Sequence, residues 1–161
     1  MRTLIVYYSL EGNTAWAAEQ LSGLLGAETL RLEPEKAYPS SGMKKFFWGG
    51  KSAVMGEEPP LKPYVFRPED WDRIVFGFPV WAGNLTPPLR TFLKEQGAAL
   101  RDKAVAAFAC ESGAGGEKAL KKLTALLGRE TLEAQLILVD PKAKPDPQNG
   151  ERLAEFSRKL A

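Results

Sequence analysis

Histidine is absent from the chain, and cysteine occurs once, at Cys110. Without an imidazole, Ser–His and Cys–His nucleophile systems are excluded. A single thiol leaves too few ligands for a structural zinc or a histidine-ligated iron site. It also builds no disulfide framework, so the expected setting is a reducing one, the cytoplasm. Any redox or transfer chemistry then falls mainly to a bound organic cofactor. No apolar run is long enough to span a bilayer, and Met1-Arg2 leads straight into a strand-like segment rather than a signal sequence, so no membrane partner is expected. Charge of one sign is nowhere concentrated. Lys and Arg number 22 against 20 Asp and Glu, for a net charge of +2, and the pairs Lys44-Lys45 and Lys121-Lys122 stand apart. Nucleic acid would need a denser basic stripe, so none is expected as a partner. There is no internal repeat or low-complexity stretch. The 161 residues read as one domain over 1–161, long enough to bury about 70% of the unfolded surface.

What the sequence does contain is organised around its start. Thr3 to Tyr8 (TLIVYY) is β-branched, apolar or aromatic throughout, the pattern of a strand buried on both faces. Directly behind it come Ser9-Leu10-Glu11-Gly12-Asn13-Thr14, and a helix begins at Thr14. A strand that turns through a short polar loop into a helix aims free backbone N–H groups, and the positive end of the helix dipole, at one point. Ser9, Asn13 and Thr14 add side-chain donors, and Gly12 permits a positive φ. The loop contains no Lys or Arg, and neither G-x-x-x-x-G-K-[ST] nor G-x-G-x-x-G is present. Two readings fit: a neutral cradle for a terminal monophosphate, or an ordinary turn with Thr14 or Asn13 as N-cap.

Further along, Ala27 to Leu32 reads as a second, more exposed strand, Arg73 to Phe78 as a third, Lys103 to Ala109 as a fourth and Leu132 to Val139 as a fifth. Ser41 to Met55 reads as a short or glycine-broken helical excursion, and Pro59, Pro60 and Pro63 as an extended connector. Helices are expected from Pro87-Pro88 through Leu93, from Glu117 to Leu127 and from Gln148 to Leu160. Alternating strands and helices imply an α/β fold with a parallel sheet covered on both faces. The polar, glycine-bearing loops follow strands one, three and four, at their carboxyl ends, where open α/β sheets bind ligands.

The three loops resemble those of the flavodoxins and flavodoxin-like flavoproteins. Ser9-Leu10-Glu11-Gly12-Asn13-Thr14 is similar to the family's phosphate loop. Pro79-Val80-Trp81-Ala82-Gly83-Asn84 resembles the loop that lays an aromatic ring on the flavin. Cys110-Glu111-Ser112-Gly113-Ala114-Gly115 resembles the loop lining the other side of the ring system. The resemblance covers essentially the whole chain. It implies a flavodoxin-like three-layer sandwich, a five-stranded parallel sheet of order 2-1-3-4-5, and FMN held non-covalently. It further implies that Ser9, Asn13 and Thr14, with the backbone of Leu10 to Gly12, hold the phosphate. Trp81 would stack on the isoalloxazine, the Ala82-Gly83 peptide would face flavin N5, and the backbone from Glu111 to Gly115 would face the pyrimidine end.

The chain also departs from the family pattern. Flavodoxins are typically acidic and often carry a second aromatic in the third loop; this chain is slightly basic and its third loop has none. One flavin face is then open, or covered by Phe47 or Trp48. An open face suits exchange with a small molecule. The expected function is electron transfer through bound FMN, to a redox partner protein or a small-molecule acceptor. The alternatives are an NAD(P)H-dependent quinone or flavin reductase and a flavin-free interaction module. Trp16 and Trp71 are expected to pack, and Cys110 to be a small buried side chain. Glu11 and Glu111 are either flavin-facing charges or solvated loop acids, and Lys44, Lys45 and Lys51 either belong to a solvated face or attract an acidic partner or a nicotinamide phosphate.

Overall fold

The computed structural model describes residues 1–39 and 50–161. Five strands, β1 (Thr3–Tyr7), β2 (Glu28–Arg31), β3 (Arg73–Pro79), β4 (Ala104–Glu111) and β5 (Gln135–Val139), form one sheet of order β2-β1-β3-β4-β5. All four pairings are parallel. The helices are α1 (Asn13–Leu25), α2 (Pro87–Gln96), α3 (Gly116–Leu126) and α4 (Gln148–Lys159).

Side chains alternate across a strand, so the buried central strands feed two cores. Leu4, Val6, Ile74, Phe76, Val105 and Ala107 face Leu89 and Phe92 of α2 and Leu120 and Leu123 of α3. Ile5, Tyr7, Val75, Ala106 and Phe108 face Ala17, Ala18 and Leu21 of α1 and Leu153 and Phe156 of α4. This is the expected three-layer α/β sandwich. Trp16 and Trp71 both pack at core margins, and the Arg2 guanidinium lies 5.0 Å from the Trp71 ring centre.

The strand ends differ from expectation in three informative places. β4 runs through Cys110 to Glu111, because their partners on β3 and β5 continue the ladder. β3 includes Pro79, and β5 starts at Gln135 rather than Leu132. Residues 132–134 are irregular and deliver the Glu133 carboxylate to Arg73, which donates through Nε at 2.8 Å and Nη2 at 2.7 Å. Of the excursion expected over 41–55, residues 50–54 are helical; Lys44, Lys45, Phe46, Phe47 and Trp48 lie outside the described residues. No helix among the described residues is long and apolar enough to cross a membrane.

Gly77 sits opposite Phe108 in the β3–β4 register, and a Cβ there would overlap the Phe108 ring. The ring occupies the space that a side chain on β3 would take. Gly77→Ala is therefore expected to destabilise the fold by about 1–3 kcal/mol, the usual range for overpacking. Urea unfolding measures it, and adding Phe108→Leu should recover part of the loss.

Candidate functional site

At the amino end of α1, Gly12 is the N-cap residue, with φ +101° and no side-chain cap. That replaces the expected turn capped by Thr14 or Asn13. The Ser9 hydroxyl instead reaches into the helix and accepts the Ala15 N–H at 3.1 Å, while the Ser9 carbonyl accepts from Arg31 at 2.9 Å. The N–H groups of Gly12, Asn13 and Thr14 donate to no protein acceptor among the described residues. The Thr14 hydroxyl is buried beside the Cys110 thiol, with no oxygen or nitrogen partner among the described residues. These unanswered donors converge beside the helix dipole's positive end, the arrangement that takes an anion.

The second loop is a tight reversal. Trp81 and Asn84 exchange backbone hydrogen bonds, 3.2 and 3.0 Å, across Ala82 at φ +51° and Gly83 at φ +68°. Two consecutive positive φ values give the turn a type I′ character, and Ala82 holds its own without glycine's freedom. The Asn84 amide anchors this turn from behind: it donates to Ala53 O at 3.0 Å and accepts from Leu85 N and Arg90. Trp81 stands edge-on to Tyr8 and Tyr38, with ring centres 5.7 and 5.1 Å away. Burial pushes both tyrosine hydroxyls up in pKa, so both stay neutral at physiological pH. Tyr38 meets Ser52 at 3.1 Å, and Ser52 donates to Glu57 at 2.6 Å.

The third loop touches the second directly. A Cβ on Gly115, which has φ +98°, would lie 3.0 Å from Gly83 Cα. The Glu111 carboxylate accepts the Gly116 N–H at 2.8 Å, at the start of α3. The Glu111 carboxylate thus also serves the amino end of α3, where negative charge is favourable. At the first terminus, α1, the corresponding answer is Ser9 Oγ on the Ala15 N–H.

The turn after β5 closes the circuit, and nothing in the sequence alone pointed to it. Asp140, at φ +37°, accepts from Ser112 Oγ at 3.0 Å and stands 3.5 Å from the Asn13 amide nitrogen. Asn13 Oδ1 in turn accepts from the N–H groups of Lys142 and Ala143 at 2.9 and 3.0 Å. Asn13 therefore spends its acceptor on tying the first loop to this turn.

Between the four segments lies a cavity of about 340 Å³, within the size range of small-molecule sites. Ser9, Leu10, Glu11, Asn13 and Thr14 line it from the first loop, and Pro79, Val80, Trp81 and Ala82 from the second. Cys110, Ser112, Gly113 and Ala114 line it from the third, and Gly50 and Asp140 complete it. Gly12, Gly83, Asn84, Glu111 and Gly115 shape the loops from outside that lining. No cluster of metal-ligating residues occurs among the described residues.

A family model described as Flavodoxin matches residues 2–144. A protein from Bacteroides uniformis ATCC 8492 superposes with a TM-score of 0.78 at 21% identity, over 98% of this chain and 97% of that one. A flavoprotein from Lactobacillus acidophilus NCFM, solved in complex with FMN, gives 0.71 at 20% identity, over 94% and 97%. A flavodoxin from the domain Archaea gives 0.66 at 15% identity, over 100% and 96%.

Cys110 sits on the cavity floor with its thiol pushed up to about 12 from 9.0, chiefly by burial. The thiol is neutral in the folded protein at any ordinary pH. Iodoacetamide at pH 8 should label native Cys110 at least tenfold more slowly than Cys110 in urea, since only the thiolate attacks; mass spectrometry over time reads both rates. Because the unfolded thiol ionises first, stability from this group is intact below about pH 9 and declines as pH rises from there toward 12.

Proposed function

The chain belongs to the flavodoxin family, and from that membership we propose that it binds FMN non-covalently and passes electrons through it. The observation that carries the reading is the anion cradle at the start of α1. Among the described residues it offers three backbone N–H groups without acceptors and a buried hydroxyl beside the Cys110 thiol with no oxygen or nitrogen partner, facing a cavity walled by an aromatic side chain.

When bound, the flavin supplies the redox chemistry itself. The chain's own residues bind, orient and screen. The N–H groups of Gly12, Asn13 and Thr14 and the Thr14 hydroxyl would hold the phosphate, with Ser9 stabilising the helix turn that presents them. Trp81 offers the ring system an aromatic face, worth about 0.5–1.5 kcal/mol beyond area burial. Its edge contacts with Tyr8 and Tyr38 fix its orientation in advance, which lowers the ordering entropy lost on binding. The Ala82-Gly83 peptide, held in its reversal, is the backbone group set to meet the flavin edge. Cys110, protonated and buried, contributes a small neutral floor rather than a nucleophile.

The partner is a redox protein or a small-molecule electron acceptor. A reductase drawing on NAD(P)H is the second reading, and one observation favours it: the third loop lines the cavity with only Ser112, Gly113 and Ala114 beyond Cys110. Walls that small leave room for a second planar ring. Anaerobic mixing with NADPH alone separates the two. Rapid bleaching of the bound flavin identifies a reductase, and an oxidised spectrum that persists identifies a carrier.

Titration of the purified protein with FMN should quench flavin fluorescence and leave a yellow protein after dialysis. A colourless protein with unquenched FMN would refute the reading. Thr14→Val removes the hydroxyl at constant shape, and should weaken FMN by at least about tenfold, as for a hydrogen bond to a charged group, with riboflavin affinity nearly unchanged.

A further inference from the structure

We propose that Lys142, on the turn between β5 and α4, is a phosphate-selecting residue: its ammonium supplies the positive charge that the first loop lacks and makes the site prefer FMN to riboflavin. This rests on the FMN reading and adds to it a fourth segment that the three-loop pattern does not contain.

Among the described residues the cavity is lined by no cation. A dianionic phosphate placed there would rest on neutral donors alone. Lys142 answers this from outside the loop. Its side chain crosses Gly12, with Nζ 3.1 Å and Cδ 3.2 Å from where a Cβ on that glycine would stand. Gly12 thus serves twice: its positive φ turns the chain, and its missing side chain admits the lysine.

The placement is built rather than incidental. Asn13 Oδ1 holds the Lys142 and Ala143 N–H groups, which pins the turn to the first residue of α1. The neighbouring Lys144 reaches the Asp140 carboxylate at 3.7 Å, whereas Lys142 has no ion-pair partner among the described residues. Without a ligand, an unpaired ammonium beside the positive end of a helix dipole is an unfavourable juxtaposition. The buried Thr14 hydroxyl, 1% exposed, lines the cavity beside the Cys110 thiol with no oxygen or nitrogen partner among the described residues, and points independently to an anion at the same spot. One phosphate would answer the ammonium, the hydroxyl and the free N–H groups together.

The test titrates the full chain and its Lys142→Met and Lys142→Arg variants with FMN and with riboflavin, at low and high salt. Lys142→Met should weaken FMN about fivefold, keep riboflavin within about twofold, and flatten the salt dependence of FMN binding. Lys142→Arg should retain most of the FMN affinity. An unchanged FMN affinity in Lys142→Met, or equal losses for both flavins, overturns the assignment while leaving FMN binding intact. A wild-type chain that binds neither flavin overturns the FMN reading and this inference with it.

Discussion

Three backbone N–H groups at the start of α1 have no acceptor among the described residues, and the arrangement of the carboxyl edge of the sheet follows from that. Donors left free at a helix start do not hold a loop in place, so other contacts must. Gly12 supplies the reversal, Ser9 Oγ secures the Ala15 N–H, and Arg31 grips the Ser9 carbonyl. These contacts fix the loop and use none of the donors that face the cavity. α3 too begins behind a glycine at positive φ, and there the Glu111 carboxylate answers the Gly116 N–H as Ser9 Oγ answers that of Ala15 at α1. Of these two similar helix termini on one edge, it is the α1 loop whose Asn13 and Thr14 line the cavity.

Holding a cavity around an open terminus requires the surrounding loops to brace one another. Tyr8 meets Trp81 edge-on, joining the first segment to the second. Gly115 approaches Gly83 too closely for any side chain, joining the second to the third. Ser112 donates to Asp140, joining the third to the turn after β5, and Asn13 returns that turn to the first. The circuit depends on the parallel sheet, which brings the carboxyl ends of β1, β3, β4 and β5 to one edge. Each junction is short: one edge-on ring contact, one backbone approach and side-chain hydrogen bonds.

The sheet and its two cores were legible because their signals are local. Continuous apolar runs mark β1, β3 and β4, and glycine-bearing polar stretches mark where they end. The first two loops were legible as cavity-lining segments for the same reason, since each is one contiguous polar or aromatic stretch behind a strand. What the sequence hid is pairing at a distance. Asp140 and Lys142 lie more than a hundred residues from the loop they brace, in a stretch (Asp140-Pro-Lys-Ala-Lys) that reads as an ordinary solvated turn. Glu111 was visible as a loop acid, but its capping role depends on β4 running two residues further than its apolar centre suggests. Asn13 likewise reads as a donor for a ligand, whereas the fold uses its carbonyl oxygen as an acceptor for the turn after β5.

The two edges of the sheet show how stability and function divide the molecule. At the amino edge every buried or half-buried cation is answered: Arg73 by Glu133, Lys103 by the carbonyls of Pro68 and Trp71, Arg129 by those of Leu100 and Lys103. The carboxyl edge carries Ala82 and Asp140 at positive φ and the Thr14 hydroxyl with no oxygen or nitrogen partner among the described residues. Strain and unsatisfied groups of this kind persist where surrounding structure over-determines them, and they concentrate at sites that bind. A ligand that answers them binds the folded chain and not the unfolded one, so it adds stability in proportion to the logarithm of its concentration over its dissociation constant. The well-satisfied edge thus holds the fold while the other edge remains incomplete, and it is this division that lets one rim of a small α/β domain stay open to an anion.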